Sequence, residues 1–183
     1  VAELVATSPA KGLLPVTIGG LTLSEPAHAM MTGISPHTGE VAQASALLKQ
    51  ATGCDLPAPN RLTRSGDAMA LWTGRNRWML IGAPAPEGLA ETAALTDQSD
   101  AWVAVTIEGP GAALVLARLC PLDLRDTAFP EGTATRSEIF HMQAIIARTG
   151  PASFLVLTFR SMAGTLVHDL TTAARAVAAR AEV

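Results

Sequence analysis

Few side chains in this sequence combine type and spacing in a way that could do chemistry. His141 stands out. In the segment Glu138–Arg148, read as one long strand, it alternates with Ile139, Gln143 and Ile145, while Phe140, Met142 and Ala144 take the other face. A polar residue between apolar ones can line a cleft; it can equally be a hydrogen-bonded core or interface histidine. On the same reading Arg136 and Arg160 fall at the ends of neighbouring strands. Two guanidinium groups held together bind carboxylates, whereas apart they are solvated strand-end charges. Arg136, His141 and Arg160 are therefore the candidate cleft or interface contacts.

Other reactive types have plainer explanations. Cys54 and Cys120 each end a predicted helix, before Asp55 and Pro121. A nucleophilic thiol prefers a helix N-terminus or a neighbouring base, so buried apolar cysteine is the expectation. His28 and His37 flank Met30 and Met31, a soft-metal pattern without a third and fourth ligand at useful spacing. His168, beside Asp169, suits a half-exposed helical position. Asp97, Asp100, Asp123 and Asp126 sit at junctions where aspartate caps and turns are common. Glu108-Gly109-Pro110-Gly111 opens a helix whose amides could hold an anion, but Pro110 removes one of them. Neither a dinucleotide fingerprint nor a P-loop occurs. No catalytic, cofactor-binding or metal site is expected in this chain.

The elements that position these residues follow from hydrophobic period and breakers. An arm, Val1 to about Lys11, leads into strands at Val16–Leu23 and about His28–Gly33. Thr38 is placed to cap a helix in which Val41, Ala44, Leu47, Leu48 and Ala51 share a face, and Gly53 stops it. Ala68–Thr73 and Arg77–Ala83 form a hairpin around Gly74-Arg75-Asn76, followed by a short helix from Pro86 to about Leu95. Then the order restarts: strand Trp102–Ile107, helix Ala112–Cys120, a loop, strand Glu138–Arg148, a turn at Thr149-Gly150-Pro151 and strand Phe154–Arg160. Ser161 is placed to cap a last helix with a stripe of Leu166, Val167, Leu170, Ala173, Ala174 and Val177. The repetition predicts one compact α+β domain, 1–183, with an internal pseudo-repeat over about 16–96 and 100–183. Each half reads as a split βαβ unit, with helices on one face of a largely antiparallel sheet.

Composition narrows the function classes. The 183 residues are 49% hydrophobic and only 16% charged, with a net charge of -3. Mean hydropathy is +0.30. Such a chain can bury a core, so disorder is excluded, and without a basic cluster no nucleic-acid partner is expected. The longest apolar runs, such as Ala112–Ala117, fall far short of the roughly 18 residues a spanning helix needs, so no membrane partner is expected either. No basic segment followed by a long apolar one marks a secretory leader, and two cysteines make no disulfide framework, so a cytoplasmic location is expected. A surface short of charge suggests apolar area that a partner covers, although much of the excess is alanine.

The runs Leu71-Trp72-Thr73-Gly74-Arg75-Asn76-Arg77-Trp78-Met79-Leu80-Ile81-Gly82 and Val105-Thr106-Ile107-Glu108-Gly109-Pro110-Gly111 resemble the gamma subunit family of heterotetrameric sarcosine oxidase. So do Leu119-Cys120-Pro121-Leu122-Asp123-Leu124, Phe129-Pro130-Glu131-Gly132, Arg136-Ser137 and Phe159-Arg160-Ser161. The resemblance implies a fold like the folate-binding part of the glycine-cleavage T-protein, built from two duplicated ferredoxin-like halves. It also implies a complex that oxidises the N-methyl group of sarcosine to give glycine and hydrogen peroxide and passes the one-carbon unit to tetrahydrofolate. The alpha, beta and delta subunits would be the partners, carrying FAD, FMN and NAD and binding tetrahydrofolate; this chain would hold no cofactor. The acidic residue on which T-protein catalysis depends maps onto no motif here.

The expectation is a non-catalytic structural and assembly subunit of that complex. On this view Trp72, Trp78 and Trp102 divide between core and partner contacts, Trp78 and Trp102 leaning to the core. The alternative is a stand-alone folate-binding or aminomethyltransferase-like protein, with Arg136 and Arg160 on the glutamate tail. A cysteine-dependent hydrolase is a distant third.

Overall fold

The computed structural model describes residues 5, 7–26 and 30–181. His28, the start of the strand expected there, and parts of the expected arm lie outside the described residues. In chain order the elements are β1 (Val16–Ile18), β2 (Leu21–Ser24), β3 (Met31–Pro36), α1 (Val41–Thr52), β4 (Leu62–Ser65), β5 (Ala68–Gly74), β6 (Arg77–Ile81), α2 (Leu89–Thr92), β7 (Ala93–Asp97) and β8 (Trp102–Glu108). There follow α3 (Ala112–Leu116), β9 (Ala134–Ile139), β10 (Met142–Gly150), β11 (Ser153–Phe159), a 3₁₀ turn at Arg160–Met162 and α4 (Ala163–Ala181).

Two antiparallel sheets result, ordered β4-β5-β6-β3-β7 and β1-β2-β8-β11-β10-β9. In the first sheet β3, β5, β6 and β7 follow the order and directions of a ferredoxin-like unit, with β4 as an extra edge. In the second, β8, β10 and β11 take the same places and β9 is the extra edge. The fourth place is filled by β2, which pairs Leu23 with Ile107. The second half thus completes its sheet with a strand from the N-terminal end of the chain. Val16–Leu23, expected to be one strand, is a hairpin turning at Gly19-Gly20.

The sheets stack face to face. Met31, Met69, Leu71, Met79 and Ile81 of one sheet pack on Ala104, Ala134, Ile145, Ala147, Leu155 and Leu157 of the other. Helices α1 and α2 cover one outer face through Ala44, Leu48 and Leu89. The other outer face lies under α3 and α4, through Val115, Leu116, Leu166, Leu170 and Ala174. The layers run helix, sheet, sheet, helix. At one edge the sheets are stitched directly: Leu62 N–H donates to Gly132 O at 2.9 Å and Ala134 N–H to Asn60 O at 3.1 Å.

Several local elements differ from those expected. The segment expected as one strand over Glu138–Arg148 is two strands closed by a Phe140-His141 turn, with Ile139 opposite Met142. Ile139 and Met142 both face the helix-covered core, so the alternation that put His141 in line with Ile139 breaks there. The helix from Pro86 contains only Leu89–Thr92; Ala93 and Leu95 alternate into the core as strand β7 beside β3. Helix α3 ends at Leu116, four residues before Cys120. Glu40, not Thr38, is the N-cap of α1, while Gly53 ends it in the left-handed conformation as expected. Ser161 lies inside the 3₁₀ turn ahead of α4.

Candidate functional site

The inward faces of the two sheets diverge at one end and leave a cleft of about 400 Å³. Gly33, Thr73, Arg77, Met79, Thr96 and Gln98 line it from one sheet. Trp102, Arg136, Ile145 and Phe159 line it from the other. Strand period two explains the selection. Arg77 is in phase with Met79 and Ile81, and Arg136 is in phase with Ala134, all of which face the layer between the sheets.

The floor is apolar, formed by buried Met79 and Ile145. On one wall the rings of Trp102 and Phe159 are 5.2 Å apart at an interplanar angle of 32°. Trp102 Nε1 donates to Gln98 Oε1 at 3.2 Å, which fixes both side chains. Among the described residues neither Arg77 nor Arg136 has an ion-pair partner. Two exposed guanidinium groups beside an aromatic wall can take a carboxylate and a flat apolar surface together.

Of the sequence candidates, only Arg136 enters this cleft. It lies within β9 opposite Ile145, not at a strand end. Arg160 sits in the 3₁₀ turn after β11, separated from Arg136's strand by β10. Its guanidinium donates to Asp100 Oδ1 at 3.3 Å and Thr7 O at 2.6 Å. His141 is exposed at the β9–β10 turn. Arg77, absent from the sequence candidates, takes the place expected of Arg160. Its alternation with Met79 and Ile81 was the available signal.

The remaining reactive types do structural work. Cys54 is fully buried, its Sγ donating to Ala68 O at 3.4 Å, and Cys120 is 8% exposed. Burial pushes both thiols up, against smaller opposing effects of hydrogen bonds. Asp97 accepts Ser99 Oγ at 2.7 Å and Ser99 N–H at 2.9 Å, and these bonds hold its pKa below the ordinary value. Asp123 takes the Arg125 guanidinium and backbone amide, which bring its carboxyl to about 2. Trp78 is a core residue, its Nε1 donating to Pro57 O at 2.8 Å; Trp72 is partly buried against α1's core, and Trp102 lies on the cleft wall. Among the described residues no group of three or more His, Cys, Asp or Glu could hold a metal ion. No described helix is long and apolar enough to cross a membrane.

Sequence comparison decides the family. The sarcosine oxidase subunit gamma of Corynebacterium sp. (strain U-96) is 31% identical over 161 residues, 82% of this chain and 77% of the relative. The chain belongs to the sarcosine oxidase gamma subunit family. Another gamma subunit, from Arthrobacter sp., is 28% identical over 165 residues, 85% of this chain and 79% of the relative. The gamma-like fold is matched as well: a chain of heterotetrameric sarcosine oxidase from Corynebacterium sp. U-96, solved in complex with pyrrole 2-carboxylate, superposes with a TM-score of 0.76 at 27% identity. That match covers 92% of this chain and 94% of the other. The glycine cleavage system aminomethyltransferase T from Bartonella henselae shares the fold, with a TM-score of 0.51 at 16% identity over 80% of this chain and 46% of that one. The ferredoxin-like, T-protein-like architecture expected from the resemblance is therefore present. No family model matches the chain.

Proposed function

We propose that this chain is a non-catalytic structural and assembly subunit, the gamma subunit, of a heterotetrameric flavin-dependent sarcosine oxidase. The observation that carries the reading is the match along nearly the whole length of both chains to a chain of a heterotetrameric sarcosine oxidase. The alpha, beta and delta subunits are its partners. They hold FAD, FMN and NAD, demethylate sarcosine to glycine with release of hydrogen peroxide, and pass the one-carbon unit to tetrahydrofolate. The complex works in the cytoplasm.

A role without chemistry of its own is supported by what the reactive side chains do. Both thiols are buried with raised pKa values, and Asp97, Asp100, Asp123 and Asp126 are each engaged by a nearby serine or arginine. Arg136, with Arg77, is a cleft contact for a partner's carboxylate, and His141 and Arg160 are surface contacts. The chain acts as one compact domain, with a pseudo-repeat over about 16–96 and 100–183 whose N-terminal hairpin completes the second half's sheet. The folate-binding alternative rests on likeness of fold alone.

Co-purification tests the reading. The tagged chain, expressed at native level in its own host, should bring down a large complex that absorbs in the flavin bands and oxidises sarcosine. A colourless chain without partners would reject it.

A further inference from the structure

A second concave surface lies far from the inter-sheet cleft, on the helix side of the second half. Between α3 and the last turns of α4 runs a groove of about 690 Å³. Its lining is mainly apolar, with Leu114, Ala117 and Val177 reaching the surface and buried Leu21 beneath them. Leu114 is 63% exposed, and among the described large apolar side chains only Val5 in the N-terminal segment exceeds it. A lone exposed leucine needs no explanation, but one that shares a concave apolar lining with Pro110, Ala117 and Val177 marks an interaction surface.

The groove is also firm. The β1–β2 turn packs so closely on α4 that a Cβ at Gly19 would overlap the Ala178 side chain. At Gly111, with φ +86°, a Cβ would lie 3.3 Å from Val177 Cγ1. Glycine at both turns lets the backbone come close to the helix and fixes the walls. A pre-formed groove loses little conformational freedom when something fills it.

Charge gives the groove a sign. Arg118 and Arg180 flank the apolar strip and no acidic residue lines it. Among the described residues neither arginine has an ion-pair partner. A second copy of this chain packed by a two-fold axis would set the same patch against itself and bring these cations together. An occupant with carboxylates beside apolar side chains satisfies both features.

We propose that this groove docks an apolar, carboxylate-bearing segment of another subunit of the oxidase complex, with exposed Leu114 as its apolar contact and Arg118 and Arg180 pairing its acidic residues. The proposal rests on the gamma subunit reading above and locates one of its interfaces.

The test compares the free chain with the assembled complex by hydrogen–deuterium exchange, then repeats assembly with Leu114→Glu and with Arg118→Glu/Arg180→Glu. Leu114 and both arginines are exposed enough for the variants to fold, which far-UV circular dichroism and the thermal midpoint check. Expected are slower exchange across 110–118 and 173–181 in the complex, and retention of the chain weakened about tenfold or more by Leu114→Glu, as for a hot-spot residue. The double arginine variant should lose retention most at low salt, where charge pairing is least screened. If the complex forms while exchange in both segments is unchanged, the docking proposal fails and the gamma subunit reading stands. If no complex forms with the unaltered chain, both fail. A free chain that dimerises, and becomes monomeric with Leu114→Glu, would assign the groove to self-association and overturn the proposal.

Discussion

The guanidinium carbon of Arg148 lies 5.2 Å from the ring centroid of Phe154, on the helix-covered side of the second sheet. Arg148 is 4% exposed, an unusual burial for a charge. Its five donors explain how it is tolerated. They reach Phe129 O at 3.0 Å, Gly150 O at 3.3 Å and Pro151 O at 2.5 Å, with Asp126 Oδ1 2.6 Å away. One side chain ties the 123–132 loop and the β10–β11 turn to the core.

Arg148→Met should therefore lower the unfolding free energy of the isolated chain by about 2–4 kcal/mol, because it strips partners from several carbonyls at once. Arg148→Lys keeps the charge but not the planar fork, and should recover only part of that loss. Asp126→Asn should cost less than about 1 kcal/mol, since Asp126 is largely exposed. Urea unfolding measures all three. Equal losses for Asp126→Asn and Arg148→Met would mean that the ion pair, not the carbonyl cradle, carries the stability.

The exchange of β2 into the second sheet depends on a close backbone approach at Gly109. Its φ is +119°, and a Cβ there would overlap the Gly20 carbonyl oxygen. Gly109 directly follows Glu108, which pairs with Thr22, so a shift there disturbs the pairing of β2 with β8. Gly109→Ala should lose at least about 2 kcal/mol. The loss should also be local first: amides of Leu21–Ser24 should exchange faster than those of β10 and β11. Uniform acceleration over both sheets would argue against a strand that attaches as a separate unit.

Cys54 and Cys120 should resist iodoacetamide at neutral pH in the native chain and react once it unfolds. The thiols titrate above the ordinary 9.0 in the folded state, so the native state holds their protons where the unfolded state has begun to lose them. Their contribution to stability is full below the ordinary thiol pKa and is lost as pH rises through the raised folded values. Unfolding midpoints of the wild type should thus fall more steeply between about pH 8 and 10 than those of a Cys54→Ala/Cys120→Ala variant. Parallel slopes would show that the thiols do not contribute.

What could be read from the sequence divides along a physical line. Features set by local chemistry were legible: Gly53 ending α1, the Gly74–Asn76 hairpin, the apolar stripe of α4 and the glycine turn before α3. Features set by tertiary pairing were not. Nothing local distinguishes Ala93–Asp97 as a strand until β3 offers it an edge, and nothing at Leu21–Ser24 shows that its partner is β8. The site divides the same way. Arg136 was legible only as a strand-end charge beside Arg160, whereas it lies within β9; its companion Arg77 belongs to the other sheet, and only stacking of the sheets brings the two to one cleft.

The β9–β10 turn, Phe140-His141, holds a strained residue. Phe140 has φ +49°, in the left-handed region where asparagine and glycine are at home and a bulky side chain is strained. The chain uses asparagine at its other two described non-glycine residues with positive φ, Asn60 and Asn76. Phe140 is also 50% exposed, so its ring gains little from the core in return for that conformation. Phe140→Asn should therefore stabilise the isolated chain by about 0.5–1 kcal/mol, and Phe140→Gly by less, because glycine also adds freedom to the unfolded state. Side by side urea titrations settle the order. A destabilised Phe140→Asn would mean that the contacts the half-exposed ring keeps outweigh the backbone strain.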